Sequence, residues 1–263
     1  MINITKLEND HSVFSKEYDY IISLGHRCCT ALSDGYTRKS SFPLDWQITD
    51  IDILEDLFKN EFSNFYPDSG VHWAHLYNGV DEQGNDTGIV DHERTKQILE
   101  RRCKRLINLI KRGDRKLLFV RTKYRLYWCK SNHPSQMDQN SIHYDIDMLS
   151  KTMNVIKNKF NNNNIDCLYI YSDFSDDDKF DGDPVVQKKG LHWNEKGEVD
   201  PNDLVMQEIV HQLELAQKFK YTEINTKKNI YAVEVGVSGK RVEAMSYTSQ
   251  IFKQLKISDV NDF

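Results

Sequence analysis

At 263 residues the chain suits one large domain or two small ones, and 39% apolar with 11% aromatic content excludes a disordered polymer. A formal net charge of −5 gives no basic footprint for nucleic acid, and no run of about 18 apolar residues is present to span a membrane. The five cysteines include an adjacent pair, Cys28-Cys29, and none has C-x-x-C spacing; with an N-terminus unlike a secretory leader, they predict reduced thiols and a cytoplasmic protein.

Residues 1–17 read as a polar lead-in, and residues 18–263 as a single domain with no Pro/Gly/Ser linker. Residues 18–24 are aromatic and β-branched and stop at Gly25, which predicts a buried strand running into a helix that starts within 26–32 and ends near Asp34-Gly35. The loop Ser40-Ser41-Phe42-Pro43-Leu44-Asp45-Trp46 follows. Ile51, Leu54, Leu57, Phe58 and Phe62 then predict a helix over 49–62, capped by Thr49 or Asp50. Residues 71–90, rich in turn signals, suggest a hairpin or a surface lid. The clearest helix spans 91–111, with Ile98, Leu99, Cys103, Leu106, Ile107 and Ile110 on one stripe and Gly113 as its stop. A buried strand over 116–121, a helix over 145–160 and a third strand over 165–171 come next. Beyond an acidic loop over 173–183, the pattern gives a helix over 203–219 and a late strand or hairpin over 229–237. Alternating helices and strands predict a three-layer α/β domain with a mostly parallel, Rossmann-like sheet.

The chemistry concentrates after the first strand. Cys28 falls at the predicted helix start, where free amides and the helix dipole stabilise a thiolate; His26 and Arg27 precede it. Its plain alternative is a small core residue packed with Ala31 and Leu32. The turn Ser23-Leu24-Gly25-His26-Arg27 could equally hold an anion, although its single glycine meets neither the Walker nor the dinucleotide pattern. Asp45, between Phe42 and Trp46, reads as a hub for backbone amides or as a catalytic carboxylate. Arg121 closes its strand at the carboxyl edge, able to pair with Asp45, to receive an anion or to sit on the surface.

Among His72, His75, His92, His133, His143 and His192, the preferred partner for Cys28 is His192, beside Trp193 with Asn194 and Asp200 following. A cysteine followed much later by a histidine is the papain-type order. The acidic run Asp173 to Asp183 reads as a solvated loop, with Mg²⁺ or Mn²⁺ binding as the alternative. His72-Trp73-Ala74-His75 lacks a third ligand at a telling spacing, so no metal site is assigned.

Ser23-Leu24-Gly25-x-x-Cys28 followed by Phe42-Pro43-Leu44-Asp45-Trp46, then a charged helix leading into Leu117-Leu118-Phe119-Val120-Arg121, resembles the DUF1796 family, described as papain-like cysteine peptidases. The likeness covers the order of motifs from about residue 20 to 200 and departs at Leu44, where the family carries an aromatic. It implies that Cys28 is a nucleophile. Family members also resemble companions of surface-glycan enzymes. The pattern of strands alternating with helices, by contrast, suits a nucleophile-elbow layout better than a papain fold.

Three readings follow. The first is a cysteine hydrolase or acyl transferase needing no cofactor, with Cys28, His192 and Asp45 catalytic and Gly25, His26, Arg27, Trp46 and Arg121 around a peptide, glycan or small-molecule substrate. The second is a glycosyltransferase binding a nucleotide-sugar with Mg²⁺ or Mn²⁺, Asp45 as base. The third is a non-enzymatic module binding through Trp46, Trp73 and Trp193.

Overall fold

The computed structural model describes residues 13–25, 41–45, 47–63, 65, 72–73, 76–123, 142–171, 220–227, 229–236 and 251–258. Its centre is a five-stranded sheet of β2 (Tyr20–Ser23), β7 (Leu117–Lys123), β8 (Ile165–Tyr171), β10 (Ile230–Gly236) and β9 (Lys220–Lys227), in that spatial order. The first four are mutually parallel, and β9 closes the edge as the antiparallel partner of β10. The expected mostly parallel α/β sheet with a late antiparallel hairpin is therefore present.

Three smaller pairs surround it. β1 (Glu17–Tyr18) runs parallel to β11 (Lys256–Ile257), β3 (Ile48–Thr49) antiparallel to β4 (His72–Trp73), and β5 (Asn78–Val80) with β6 (Asp86–Val90) forms a hairpin. The helices are α1 (Leu54–Lys59), α2 (His92–Arg112) and α3 (Ile142–Phe160).

Each side chain's face follows from strand alternation. Tyr20, Ile22, Phe119, Cys167 and Ile230 join one core with Leu54 and Phe58 of α1, Leu99 and Leu106 of α2, and Leu149 and Ile156 of α3. Ile21, Leu118, Leu168 and Tyr231 point the other way and join Val13, Tyr18, Ile251, Phe252 and Leu255. Because β2 to β7 and β7 to β8 each step one place in the same direction, right-handed crossovers put α2 and α3 on one face. The third layer is built from the first and last described segments. Within the expected lead-in 1–17, Val13–Ser15 forms a 3-10 turn whose Val13 is fully buried.

Two expected elements are corrected. The strand expected over 18–24 is broken at Asp19, whose backbone N–H donates to the Lys116 carbonyl at 2.8 Å and whose carboxylate accepts from the Lys116 N–H at 2.7 Å. The helix expected over 49–62 is only α1. Thr49 is a strand residue paired with His72, the residue before α1 is Ile53 with no side-chain cap, and Glu61 and Phe62 adopt left-handed backbone (φ 50° and 61°). The apolar spacing was real, since Ile51, Leu54, Phe58 and Phe62 are buried, but extended pairing won at one end. The long helix α2 follows its expectation closely: Asp91 caps it by accepting from the Arg94 N–H at 2.9 Å, and Gly113 ends it left-handed. Among the described residues no helix is long and apolar enough to cross a membrane. The helices expected over 26–32 and 203–219 and the acidic loop lie outside the described residues.

Candidate functional site

The carboxyl end of β2 leaves the sheet with its backbone groups satisfied by specific partners. The Leu24 N–H continues the ladder to the Val120 carbonyl at 2.8 Å. Its carbonyl, which has no further strand residue to accept, takes the Arg121 guanidinium Nη1 at 2.9 Å. The Gly25 N–H donates to Ser23 Oγ at 3.1 Å. Gly25 itself, three residues before Cys28 in the sequence, is left-handed at φ 77°, a conformation that favours glycine.

Close packing fixes that turn a second way. A Cβ at position 25 would lie 2.4 Å from Thr49 Oγ1 and 2.6 Å from Thr49 Cβ, with the Gln47 carbonyl oxygen at 3.6 Å. Only glycine fits there. The segment pressed against it is placed by the preceding loop. The Phe42 N–H donates to Asp45 Oδ2 at 2.6 Å, the Asp45 N–H returns to the Phe42 carbonyl at 3.3 Å, and the Gln47 N–H reaches the Leu44 carbonyl at 3.4 Å. Phe42 and Leu44 anchor the loop in the helical-face core, with Phe42 edge-on to Tyr20. From α2, Arg105 Nη1 holds the Ser41 carbonyl at 2.9 Å.

The result is a concentration of buried polar side chains where an apolar core would be expected. Ser23, Asp45, Gln47, Thr49, Arg121 and Thr122 are each at most 2% exposed. Among the described residues, neither the Nε2 nor the Oε1 of Gln47, nor Oγ1 of Thr49, has a hydrogen-bond partner. One strand further along, Asp145 in the first turn of α3 accepts from Lys123 Nζ at 2.7 Å and from the Tyr169 hydroxyl, all near the carboxyl ends of β7 and β8. Open α/β sheets bind their ligands at this edge.

Of the residues singled out from the sequence, Gly25, Asp45 and Arg121 are thus gathered around the end of β2. Arg121 is not a surface residue: it is fully enclosed and tied to Leu24. Asp45 is an amide hub for Phe42. His26, Arg27, Cys28, Trp46 and His192 lie outside the described residues. Gln47 carries no motif and Thr49 read only as a helix cap, so their burial alone marks them as part of this edge.

The two described cysteines are unsuited to nucleophilic chemistry. Cys103, beside a cavity of about 550 Å³ with Phe62, Phe65 and Ile107, is pushed up to about 12 by burial, with Glu100 adding to the shift. Cys167 is fully enclosed in the sheet and is raised by burial above all. Among the described residues no three His, Cys, Asp or Glu side chains converge as a metal site. No protein-family model, no curated protein and no solved structure matches the chain.

Proposed function

We propose that the chain is a cysteine-dependent hydrolase or acyl transferase whose nucleophile is Cys28, working at the carboxyl ends of β2 and β7. The observation that carries this reading is the left-handed Gly25 turn. It ends a buried strand three residues before Cys28 in the sequence, and enclosed polar side chains gather around that strand end. The resemblance to DUF1796 at Ser23-Leu24-Gly25-x-x-Cys28 supports the same assignment. In this mechanism the Cys28 sulfur attacks a substrate carbonyl while His192 takes the thiol proton and delivers it to the departing group. Water or a second acceptor then cleaves the thioester. Asp45 orders the loop beside the turn, and no cofactor is required. A reducing cytoplasm suits the free thiols.

The glycosyltransferase alternative asks Asp45 to act as a base and Arg121 to grip a diphosphate. Both are enclosed, and both hold backbone groups of the chain itself, which weighs towards the hydrolase.

The test is thiol labelling of the folded chain with iodoacetamide near pH 8. Cys28 is expected to react first, by more than tenfold over Cys103 and Cys167. With its pKa near 12, only about one part in ten thousand of Cys103 is thiolate at that pH, and that fraction grows only as pH climbs towards 12 or the chain unfolds. Preferential labelling of Cys103 or Cys167, or full activity of Cys28→Ser, would falsify the assignment. Melting-temperature gains from nucleotide-sugars with Mn²⁺ would favour the alternative instead.

A further inference from the structure

A cavity lies between α2 and the turn that follows α1, and the residues lining it include none of those gathered around the end of β2. Its volume of about 550 Å³ falls in the range of about 300–1,000 Å³ that holds small-molecule ligands. One stripe of α2 forms its longer wall, since Lys96, Cys103, Ile107 and Lys111 recur at helical spacing. The floor is apolar. Phe62 and Phe65, packed edge to face with ring centroids 5.4 Å apart, line it with Cys103 and Ile107, and each of the four keeps 5–7% exposure, so a ligand can reach them. The rim is cationic. Glu61 is engaged by Lys111 Nζ at 2.7 Å and Lys159 Nζ at 3.4 Å, which leaves Glu100 as the one uncommitted carboxylate among the described lining residues, against the exposed Lys96 and Lys104. Arg101, Arg102 and Arg105 crowd the same stretch: burial first, and then the charges of Arg101 and Arg102, hold the Arg105 guanidinium below its ordinary value. A chain of net charge −5 thus carries a local positive field beside an apolar floor.

We propose that this cavity binds a small aromatic carboxylate, its ring against Phe62, Phe65 and Ile107 and its anion at Lys96 and Lys104. An aromatic body buries apolar area and adds edge-to-face contact with the two phenyl rings, which an aliphatic chain does not. The lysines are exposed, so each contributes little affinity, and their part is to select an anion over a neutral ring of the same shape. This is a second ligand site, which goes beyond the reaction assigned to Cys28 and does not depend on it.

The full chain with ¹³C-labelled isoleucine methyls reads the site directly, the Ile107 signal being identified by its loss in Ile107→Val. 2-Naphthoate is expected to shift that signal saturably and to bind about fivefold more tightly than 2-naphthalenemethanol, which has the same ring and no charge. The double variant Lys96→Gln with Lys104→Gln, at exposed positions, is expected to erase that preference while still binding the alcohol and melting within about 2 °C of the parent chain. Cys103→Phe places a ring in the cavity and is expected to abolish binding of both compounds. Should that variant fail to fold, the Ile107 shift and the lysine pair decide the matter alone. An unmoved Ile107 signal, equal binding of acid and alcohol, or a preference that survives the loss of both lysines would overturn the proposal. An inert Cys28 would remove the thiol chemistry and leave this site standing.

Discussion

Gly25→Ala is expected to destabilise the protein by about 2–5 kcal/mol, with its denaturation midpoint falling accordingly. Two independent costs add. Holding an L-residue at φ 77° costs about 1–2 kcal/mol, and a new Cβ 2.4 Å from Thr49 Oγ1 forces an overpacking adjustment of about 1–3 kcal/mol. A double-mutant cycle divides them. Thr49→Ala still leaves the Thr49 Cβ position 2.6 Å away and recovers little, whereas Thr49→Gly is expected to recover the packing share and leave only the backbone share. Chemical denaturation of the four chains measures both. If Thr49→Gly recovers nothing, the close approach at this turn is not what demands glycine.

The second large effect is expected at Asp145. Its carboxylate is about 1% exposed and accepts from both Lys123 Nζ and the Tyr169 hydroxyl, so it clasps β7, β8 and α3 at their shared end. Asp145→Ala leaves an ammonium whose side chain is only 16% exposed and a buried phenol without their common acceptor. Breaking one side of such a buried pair costs about 3–5 kcal/mol. Tyr169→Phe removes one donor and leaves the ion pair, so about 1 kcal/mol is expected there. Thermal melts of the two variants should therefore separate clearly. Equal losses would mean that the phenol, and not the ion pair, holds this corner together.

The sequence was most legible where local signals agreed with tertiary demand. β8 was readable to its ends because an apolar, β-branched run follows an asparagine turn and all seven residues are buried. α2 was readable because a long apolar stripe is bracketed by Asp91 and Gly113. The stretch from Thr49 to Phe62 misled because helical spacing and burial coincide there, while the competing signal, pairing of Thr49 with His72, lies 23 residues away. The pairing of Glu17–Tyr18 was invisible for the same reason, since its partner strand is near the other end of the chain.

The site was legible in part. Gly25 announces itself because a single glycine ends a buried strand, and Asp45 because two aromatics flank it. Arg121 could be placed at the sheet's carboxyl edge, but its bond to the Leu24 carbonyl needed the register of β2 against β7. Gln47 could not be found. A glutamine between Trp46 and Ile48 looks like any loop residue until the fold encloses it.

The third layer has a consequence for how the chain reaches its native state. One face of the sheet is closed by Ile251, Phe252 and Leu255 together with Val13 and Tyr18, while Lys16 and Tyr18 both bond the Asp166 carboxylate of β8. During synthesis, β2, β7 and β8 and their helices can emerge and associate before Ile251, Phe252 and Leu255, which help close this face among the described residues, have been made. The share of that face buried by Ile251, Phe252 and Leu255 stays uncovered by them until they leave the ribosome. Contacts this distant in sequence form slowly, because a long loop must close before they are rewarded. The growing chain is thus most prone to aggregate in the interval after β8 has emerged and before residues 251–257 can dock on this face.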